Sequence, residues 1–264
     1  VIDDFAFPLP VTVICELLGV PPEDRELFRQ QTRDMAAILD WDVTPEQLGR
    51  AAGGVLTFTA YLVPLFEQRR RDPRDDIVSA LVAAEEAGDR LGADELLTTV
   101  VLLLVAGHET TMNLIGNGLL ALLRNPDQLE LLRRRPDLMP AAVEELLRYD
   151  SPVRLTVRTA TADTTLAGEP VRAGEQVIVM LDAANHDPAV FPSPDTLDVT
   201  RDARGHVSFG TGAHYCLGAA LARAEAQVAL AALVALPDLE LAIAEPEWRP
   251  LVPLHALESL PVTC

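Results

Sequence analysis

Apolar residues recur at three- and four-residue spacing along most of the first 150 positions of the chain. This period predicts amphipathic helices, because it places the apolar side chains on one face of a helix. Prolines and glycines mark the helix ends, and Gly53, Gly54 and Pro64 are expected to disturb one helix internally. The predicted helices are residues 11–18, 23–39, 45–71, 74–87 (ending near Gly88), 93–124, 127–134, 138–149 and 217–236.

The pattern changes after residue 151. Residues 151–179 alternate between apolar and polar positions, are rich in valine and threonine, and contain turn signals at 167–168 and 173–174. These features are typical of strands and hairpins. Residues 185–206 predict an irregular loop, and the tail at 239–262 predicts short strands separated by prolines. The fold class indicated by these patterns is mainly α with a small β component.

The composition narrows the possible functions. The 264 residues carry a formal charge of −19, with 40 acidic residues against 21 arginines and no lysine. Such an acidic chain is a poor partner for nucleic acids and anionic membrane surfaces, so neither is expected. Three cysteines, far apart in the sequence, form no disulfide framework and indicate a reducing, cytoplasmic location. The longest apolar run, residues 100–106, is too short to span a bilayer.

One cysteine stands in a setting that favours metal ligation. Residues 209–218 have the sequence F-G-T-G-A-H-Y-C-L-G, and Cys216 directly precedes the predicted helix 217–236. The positive end of a helix dipole favours the thiolate, which is the form that binds metals. The residues therefore indicate a soft axial ligand of a haem iron. A zinc site formed with His206 and His214 is a weaker alternative, because zinc usually takes four ligands.

The residues around Cys216 favour a large flat ligand. Gly210 and Gly212 allow the backbone to turn tightly and to approach such a ligand closely. Gly218 leaves the first helical turn without a side chain, and Phe209 supplies an aromatic wall. The alternative is a structural cysteine buried on a glycine-rich turn.

A second motif, A-G-H-E-T-T at residues 106–111, lies in the middle of the longest predicted helix. Gly107 costs about 1 kcal/mol relative to alanine in a helix interior, and Glu109 and Thr110 interrupt an apolar stretch. Such departures from local preference are expected at functional positions. An acid beside an alcohol suits the proton delivery that dioxygen activation needs. The alternative is a polar kink whose hydroxyl bonds to the preceding turn.

The loop F-G-x-G-x-H-x-C-x-G resembles the haem-binding loop of the cytochrome P450 superfamily, in the form typical of its soluble bacterial members. The resemblance implies a cytochrome P450 fold and haem b, with Cys216 as the axial ligand and Phe209, Gly210 and Gly218 beside the haem. It covers nearly the whole chain but only about two thirds of the family's domain. The chain is therefore expected to be one domain, residues 1–264, that lacks its N-terminal portion.

The A-G-H-E-T-T motif is similar to the oxygen-activating motif of the same family. The similarity implies that Thr110 and Glu109 are catalytic and manage proton delivery. It also implies that Ala106 and Gly107 face the haem and the substrate, whereas His108 is assigned no role.

Two further pairs of residues resemble structural and cofactor-binding positions of the family. Glu145 and Arg148, in E-E-L-L-R, resemble an ion pair that braces the loop ahead of the cysteine, although such pairs are also common on helix surfaces. The family usually adds an arginine or histidine where this chain has Thr196. Arg158 and His214 match propionate-binding residues of the family. The alternatives for these two are a surface strand arginine and a capping histidine.

The function implied by the resemblance is a haem-dependent monooxygenase of bacterial secondary metabolism or xenobiotic oxidation. It would insert one oxygen atom of O2 into a small molecule by hydroxylation or epoxidation. Aliphatic residues at 102–103, 153–157 and 254–257 are expected to line the cavity, so the substrate is expected to be apolar. The alternatives are a non-catalytic P450-like partner that activates another biosynthetic enzyme, and peroxide-driven oxygen transfer.

Electrons are expected to come from outside the chain. The sequence contains no flavin or iron–sulfur pattern, so NAD(P)H would supply electrons through external redox partners, with a ferredoxin-type protein as the donor. The arginines at 133–135, Arg201 and Arg204 are candidate docking residues for this donor. An ordinary solvated surface is the alternative for these arginines.

Overall fold

The computed structural model describes residues 1–38, 40, 42–86 and 91–264. The chain divides into an N-terminal unit, Val1–Asn113, and a C-terminal unit, Leu114–Cys264. The described part of the N-terminal unit is helical, whereas the C-terminal unit combines helices with three two-stranded antiparallel sheets. The prediction of a mainly helical fold with a small β component is therefore confirmed. The expected organisation as one domain stays a prediction.

The observed helices follow the predicted apolar pattern closely. One short helix, Leu181–Asn185, was not predicted, and the predicted helix ends at Leu39, Ala87 and Gly88 lie outside the described residues. The bounds are α1 Pro8–Leu18, α2 Leu27–Ala37, α3 Pro45–Arg71, α4 Ile77–Glu86, α5 Ala93–Arg124, α6 Pro126–Arg134, α7 Met139–Tyr149, α8 Leu181–Asn185 and α9 Ala219–Val234. Shorter turns are a π-helical Ile2–Ala6 and the 3-10 turns Pro22–Asp24, Pro136–Leu138 and Gly212–His214.

Helix α3 is continuous, contrary to the expected disturbance. It begins with a capping box, in which Thr44 accepts from the backbone of Gln47 and the Gln47 side chain accepts from the backbone of Thr44. The helix then runs through Gly53, Gly54 and Pro64. Pro64 lies on the exposed face, where water can bond the carbonyl that a proline leaves without a partner.

The N-terminal unit is organised around aromatic stacking and a buried ion pair. The rings of Phe28 in α2 and Phe58 in α3 stack with their centroids 5.2 Å apart. Arg69 donates to Asp76 at 2.6 Å and to the carbonyl of Gly19 at 2.7 Å, and both side chains of the pair are almost fully buried. These contacts join α1, α3 and the segment before α4.

The strands of the C-terminal unit form short hairpins. The strands at residues 155–159 and 176–180 pair with Leu155 opposite Met180. Ala167 and Gly168 form the turn between the strands at 164–166 and 169–171, with positive φ angles of 51° and 91°. Two consecutive positive φ angles are typical of a two-residue hairpin turn. The bounds are β1 Leu155–Thr159, β2 Thr164–Leu166, β3 Glu169–Val171, β4 Gln176–Met180, β5 Glu240–Leu241 and β6 Val262–Thr263.

The C-terminal half of α5 packs closely against α7 and α9. A side chain added at Gly118 would place its Cβ 3.2 Å from Leu146 of α7 and 3.5 Å from Leu230 of α9. The glycine allows this close approach, because a larger residue would require the side chain of Leu146 to shift. This packing fixes the two helices, α7 and α9, that carry the candidate site.

Two helices, α3 and α5, are long and apolar enough to cross a membrane by length and composition. In α5, 61% of the most apolar window is buried, whereas in α3 the buried share is 28%. Core helices of folded domains pass the same test. Length and composition therefore assign neither helix to a membrane.

We expect Leu230→Ala to lower the free energy of unfolding by about 2–5 kcal/mol, because it removes a fully buried side chain from α9 and leaves a cavity. Val228→Ala on the same helix is the control, since Val228 is 67% exposed. Denaturant unfolding followed by circular dichroism measures both. Equal effects of the two substitutions would contradict the described packing of α9.

Candidate functional site

The loop before α9 turns back on itself. Gly210 and Gly212 have φ angles of 68° and 69°, in the left-handed region that favours glycine. The backbone N–H of Cys216 donates to the carbonyl of Phe209 at 2.9 Å. The two left-handed residues let the chain reverse so that Phe209 and Cys216 become neighbours across the loop.

Cys216 is a free, half-buried thiol just ahead of α9. The helix begins at Ala219 after the N-cap Gly218, which offers no capping side chain. Side chains added at Gly212 or Gly218 would meet nothing within 4 Å, so open space borders both glycines. A free thiol beside bent, side-chain-free backbone fits a flat macrocycle with an axial thiolate ligand.

The zinc alternative has no support in the structure. Among the described residues, which include His206, His214 and Cys216, no group of three or more histidine, cysteine or acidic side chains could hold a metal ion.

Cys216 and Cys15 differ in their exposure, because Cys216 is half-buried and Cys15 is buried. Burial raises the pKa of the Cys15 thiol to about 11, although Arg25 opposes the shift, so Cys15 stays protonated at neutral pH.

Arg158 and His214, the two predicted propionate partners, are exposed, and neither pairs with an acidic side chain in the described part of the chain. Arg158 donates to the hydroxyl of Thr156 at 2.7 Å and to the carbonyl of Val157 at 2.9 Å. Neither Arg158 nor His214 has an ion-pair partner within the described part of the chain. Their positive or hydrogen-bonding groups are therefore available to an anionic ligand.

Glu145 and Arg148 form a fully buried, bidentate ion pair on α7. Arg148 Nε donates to Glu145 Oε2 at 2.8 Å, and Nη2 donates to Oε1 at 2.9 Å. Both side chains are 0% exposed. The pair is therefore no ordinary surface contact, since burial excludes the water that weakens surface ion pairs. Arg148 also donates from Nη1 to the carbonyl of Asn185 at 3.0 Å, which ties α7 to the end of α8.

Asn185 and Ser208 connect α7 to the start of the cysteine loop. Ser208 donates to the carbonyl of Leu147 at 2.7 Å, and the amide of Asn185 donates to Ser208 at 2.8 Å and to Ser151 at 2.7 Å. The carbonyl oxygen of the Asn185 side chain accepts from the backbone of Val207 at 2.7 Å. The residue directly before Phe209 is thus held by buried hydrogen bonds, a role that the sequence pattern did not reveal.

Glu144, which precedes Glu145, forms a second brace that the sequence analysis missed. Its carboxylate accepts from Arg223 of α9 at 2.6 and 3.0 Å and from His206 at 3.1 Å. The Arg223 guanidinium lies 4.5 Å from the centre of the Phe209 ring. Burial raises the pKa of Glu144, but the hydrogen bonds from His206 and Arg223 outweigh it and lower the pKa to about 2. The only sequence signal was the doubled glutamate in E-E-L-L-R.

The structure does not support a single solvated docking patch of arginines. The Arg201 side chain is only 13% exposed and bonds to Glu145, and Arg133 donates to the carbonyls of Val234 and Leu236. Arg135 and Arg204 are exposed, and each pairs with a nearby aspartate. The covered position of Arg201 removes it from the predicted patch, whereas docking by Arg133, Arg135 and Arg204 stays a prediction.

In the A-G-H-E-T-T motif, the hydroxyl of Thr110 donates to the carbonyl of Ala106 at 3.1 Å. This is the back-bonding alternative stated above. A side chain added at Gly107 would place its Cβ 3.0 Å from Ile14, so the glycine permits close packing against α1. His108 and Glu109 are buried, with His108 Nε2 3.9 Å from Glu109 Oε2. Burial lowers the pKa of His108, which favours its neutral form.

The chain belongs to the cytochrome P450 family. The family model described as "Cytochrome P450" matches residues 26–243. Members of this family are haem-thiolate oxidoreductases, and the observed loop geometry agrees with that class.

Several characterised relatives resemble the chain over its whole length. It is 45% identical over 264 residues to the biotin biosynthesis cytochrome P450 of Bacillus subtilis (strain 168), covering 100% of this chain and 67% of that protein. It is 48% identical to cytochrome P450 107B1 of Saccharopolyspora erythraea, covering 99% and 64%. A solved structure of P450BioI in complex with an acylated acyl carrier protein matches with a TM-score of 0.94 at 44% identity, covering 99% and 68%. The chain spans about two thirds of the length of these relatives.

We expect Arg148→Ala to lower the free energy of unfolding by about 3–5 kcal/mol, because it leaves the buried carboxylate of Glu145 without its principal partner. Arg135→Ala is the control, since Arg135 pairs with Asp137 on the surface. Denaturant unfolding measures both variants. A loss for Arg148→Ala no larger than that for the control would contradict a structural role for the buried pair.

We expect the stabilising effect of Glu144 to disappear in acid. Its pKa in the folded chain is about 2, below the ordinary value of 4.5, so its contribution is complete above pH 4.5 and is lost as the pH falls towards 2. The free energy of unfolding of the parent should therefore exceed that of Glu144→Gln above pH 4.5, and the two should converge below it. A difference that stays constant from pH 6 to pH 2 would disprove the ionic brace.

Proposed function

We propose that the protein is a bacterial cytochrome P450 monooxygenase that hydroxylates or epoxidises an apolar small molecule. The observation that carries the proposal is the free, half-buried Cys216 at the end of a loop bent by two left-handed glycines, directly ahead of α9. This arrangement suits a thiolate ligand for haem b (iron protoporphyrin IX). When bound, a haem with a thiolate ligand supplies the chemistry of dioxygen activation.

We assign haem binding to the residues around Cys216. Phe209, Gly210 and Gly218 would border the macrocycle, because the glycines leave the backbone bare and Phe209 offers an apolar ring. Arg158 and His214 would hold the propionates, since neither has an acidic partner in the described chain. The assignment to Arg158 is favoured by the planar guanidinium, which bonds two carboxylate oxygens at once.

We assign proton delivery to Thr110 and Glu109. The Thr110 hydroxyl bonds back to Ala106 and can rotate to donate to or accept from another group. Glu109 is a buried acid directly beside it in sequence, so the two together offer a donor and a supply of protons. Ala106 is exposed and is assigned to the surface that faces haem and substrate. Close packing against Ile14 explains the glycine at position 107.

The substrate and the electron source extend the same proposal. Relatives include a 6-deoxyerythronolide B hydroxylase at 44% identity and a vitamin D(3) 25-hydroxylase at 48% identity, which favours a bulky apolar substrate in secondary metabolism. Electrons would come from NAD(P)H through a ferredoxin-type donor. We place the reaction in the cytoplasm, where the three cysteines would remain reduced.

We expect Cys216→Ala to abolish the strongly red-shifted Soret band in the carbon monoxide difference spectrum of the dithionite-reduced, haem-loaded protein. The band requires a thiolate ligand, and alanine provides none. Cys264→Ala is the matched control and should retain the full band, because Cys264 is an exposed free thiol that does not belong to the loop at residues 209–218. Retention of the band in Cys216→Ala would overturn the proposed ligand. Its absence from the parent after haem loading would overturn the haem-thiolate function.

A further inference from the structure

His108 is a residue of the A-G-H-E-T-T motif to which the proposed function gives no role. It is almost fully buried, and its ring meets the ring of Phe7 edge-on, with the two centroids 5.5 Å apart. Its Nδ1 lies 2.7 Å from the carbonyl oxygen of Leu104, about one helical turn earlier. The imidazole is therefore held in one orientation by an aromatic contact and by a hydrogen bond.

The bond to Leu104 determines which ring nitrogen of His108 carries the hydrogen. A carbonyl oxygen only accepts, so Nδ1 must be the donor. Burial lowers the pKa of His108, and the charge of Arg33 in α2 acts in the same direction. The bond to Leu104 and the charge of Glu109 oppose this shift without reversing it. In a neutral ring with its hydrogen on Nδ1, Nε2 has a lone pair and can only accept.

The Nε2 atom of His108 lies beside the acid of the same motif. It is 3.9 Å from Glu109 Oε2, and no residue of the described chain donates a hydrogen bond to it. An ionised carboxylate also only accepts, so it cannot bond this lone pair, whereas a protonated carboxyl has an O–H that can donate. A shift of about 1 Å by the Glu109 side chain would bring its oxygen within hydrogen-bond distance of Nε2.

We propose that His108 is a positioning residue that holds Glu109 in its protonated form, by accepting the carboxyl O–H at Nε2. The inference rests on the proposed function, in which Glu109 supplies protons to Thr110. When the carboxyl gives up its proton, the bond to Nε2 is lost, and water supplies the proton that restores the acid. His108 stays neutral throughout and neither gains nor loses a proton.

A neutral imidazole suits this role because it distinguishes the two states of the acid. It stabilises the protonated carboxyl, which donates, and offers nothing to the ionised carboxylate, which does not. A glutamine or serine at position 108 would carry a donor as well and would bond either state. A charged side chain there would hold the carboxylate in an ion pair and oppose its protonation.

The first test follows His108 Nε2 by ¹⁵N NMR of the full chain. Glu109→Gln places a permanent N–H donor at position 109, and Glu109→Met places none. We expect the Nε2 resonance to lie upfield in Glu109→Gln relative to Glu109→Met, the direction that accepting a hydrogen bond produces, with the hydrogen on Nδ1 in both variants. Equal Nε2 resonances in the two variants, or a hydrogen on Nε2 in the parent, would overturn the proposal.

His186 is the matched control in the same spectra. Its Nδ1 also lies close to the carbonyl oxygen of a residue four positions earlier, at 3.0 Å from Asp182, but it belongs to the C-terminal unit. Its resonances should be the same in both variants of Glu109. A change at His186 as large as that at His108 would show a general disturbance and would overturn the proposed local bond.

A second measurement follows the acid instead of the ring. Infrared spectroscopy resolves the C=O band of a protonated carboxyl from the bands of a carboxylate, and the contribution of Glu109 is the part that Glu109→Met removes. At a given pH, the ratio of protonated to ionised Glu109 should be about fivefold lower in His108→Leu than in the parent, because one neutral hydrogen bond is lost. It should be unchanged in His186→Leu. An unchanged ratio in His108→Leu would contradict the proposal, and the NMR comparison decides the question if this variant does not fold.

Both measurements work without haem, so they separate this inference from the function on which it rests. If the parent gives no thiolate band after haem loading but Nε2 and the carboxyl band respond as described, the hydrogen-bonded pair stands and the monooxygenase function fails. If the thiolate band is present and neither measurement responds, the function stands and the role of His108 is wrong.

Discussion

The enclosed carboxylate of Glu145 is the interaction on which the order of the C-terminal unit depends. A charge removed from water is costly unless nearby groups compensate it completely. Here Arg148 supplies two hydrogen bonds, and Arg201 and the backbone of Asp198 supply one each. The same guanidiniums then bond carbonyls in distant segments. Satisfying one buried anion therefore brings α7, the end of α8 and residues 192–201 together.

The helices were predictable because their apolar period reflects burial directly, and the start of α9 was predicted within two residues. The spacing of Glu145 and Arg148 was visible in sequence, but their complete burial was not, since it depends on loops that cover α7. Arg201 was interpreted as a surface residue because its burial also depends on contacts within these loops. An irregular loop carries no period, so its contacts depend on tertiary packing that local pattern does not encode.

The arginines of this chain form several hydrogen bonds at once, with a planar geometry that a lysine does not have. Arg148, Arg201 and Arg223 each bond a carboxylate and at least one further group, in directions set by a rigid plane. The guanidinium also remains charged at any physiological pH. The ion pairs formed by these three arginines therefore do not depend on the protonation state of their basic partner, and the sequence contains no lysine.

The neighbouring glutamates of α7 hold different parts of the chain. Glu145 bonds Arg148 and Arg201, whereas Glu144 bonds Arg223 and His206. Consecutive helical residues point about 100° apart, so each carboxylate meets its partners at a single rotational setting of the helix. A slip by one residue would present the wrong carboxylate to Arg201 and to Arg223, which both lie outside α7. The doubled glutamate therefore specifies the rotation of α7, because the native contacts of the cysteine loop require each carboxylate to face its own partners.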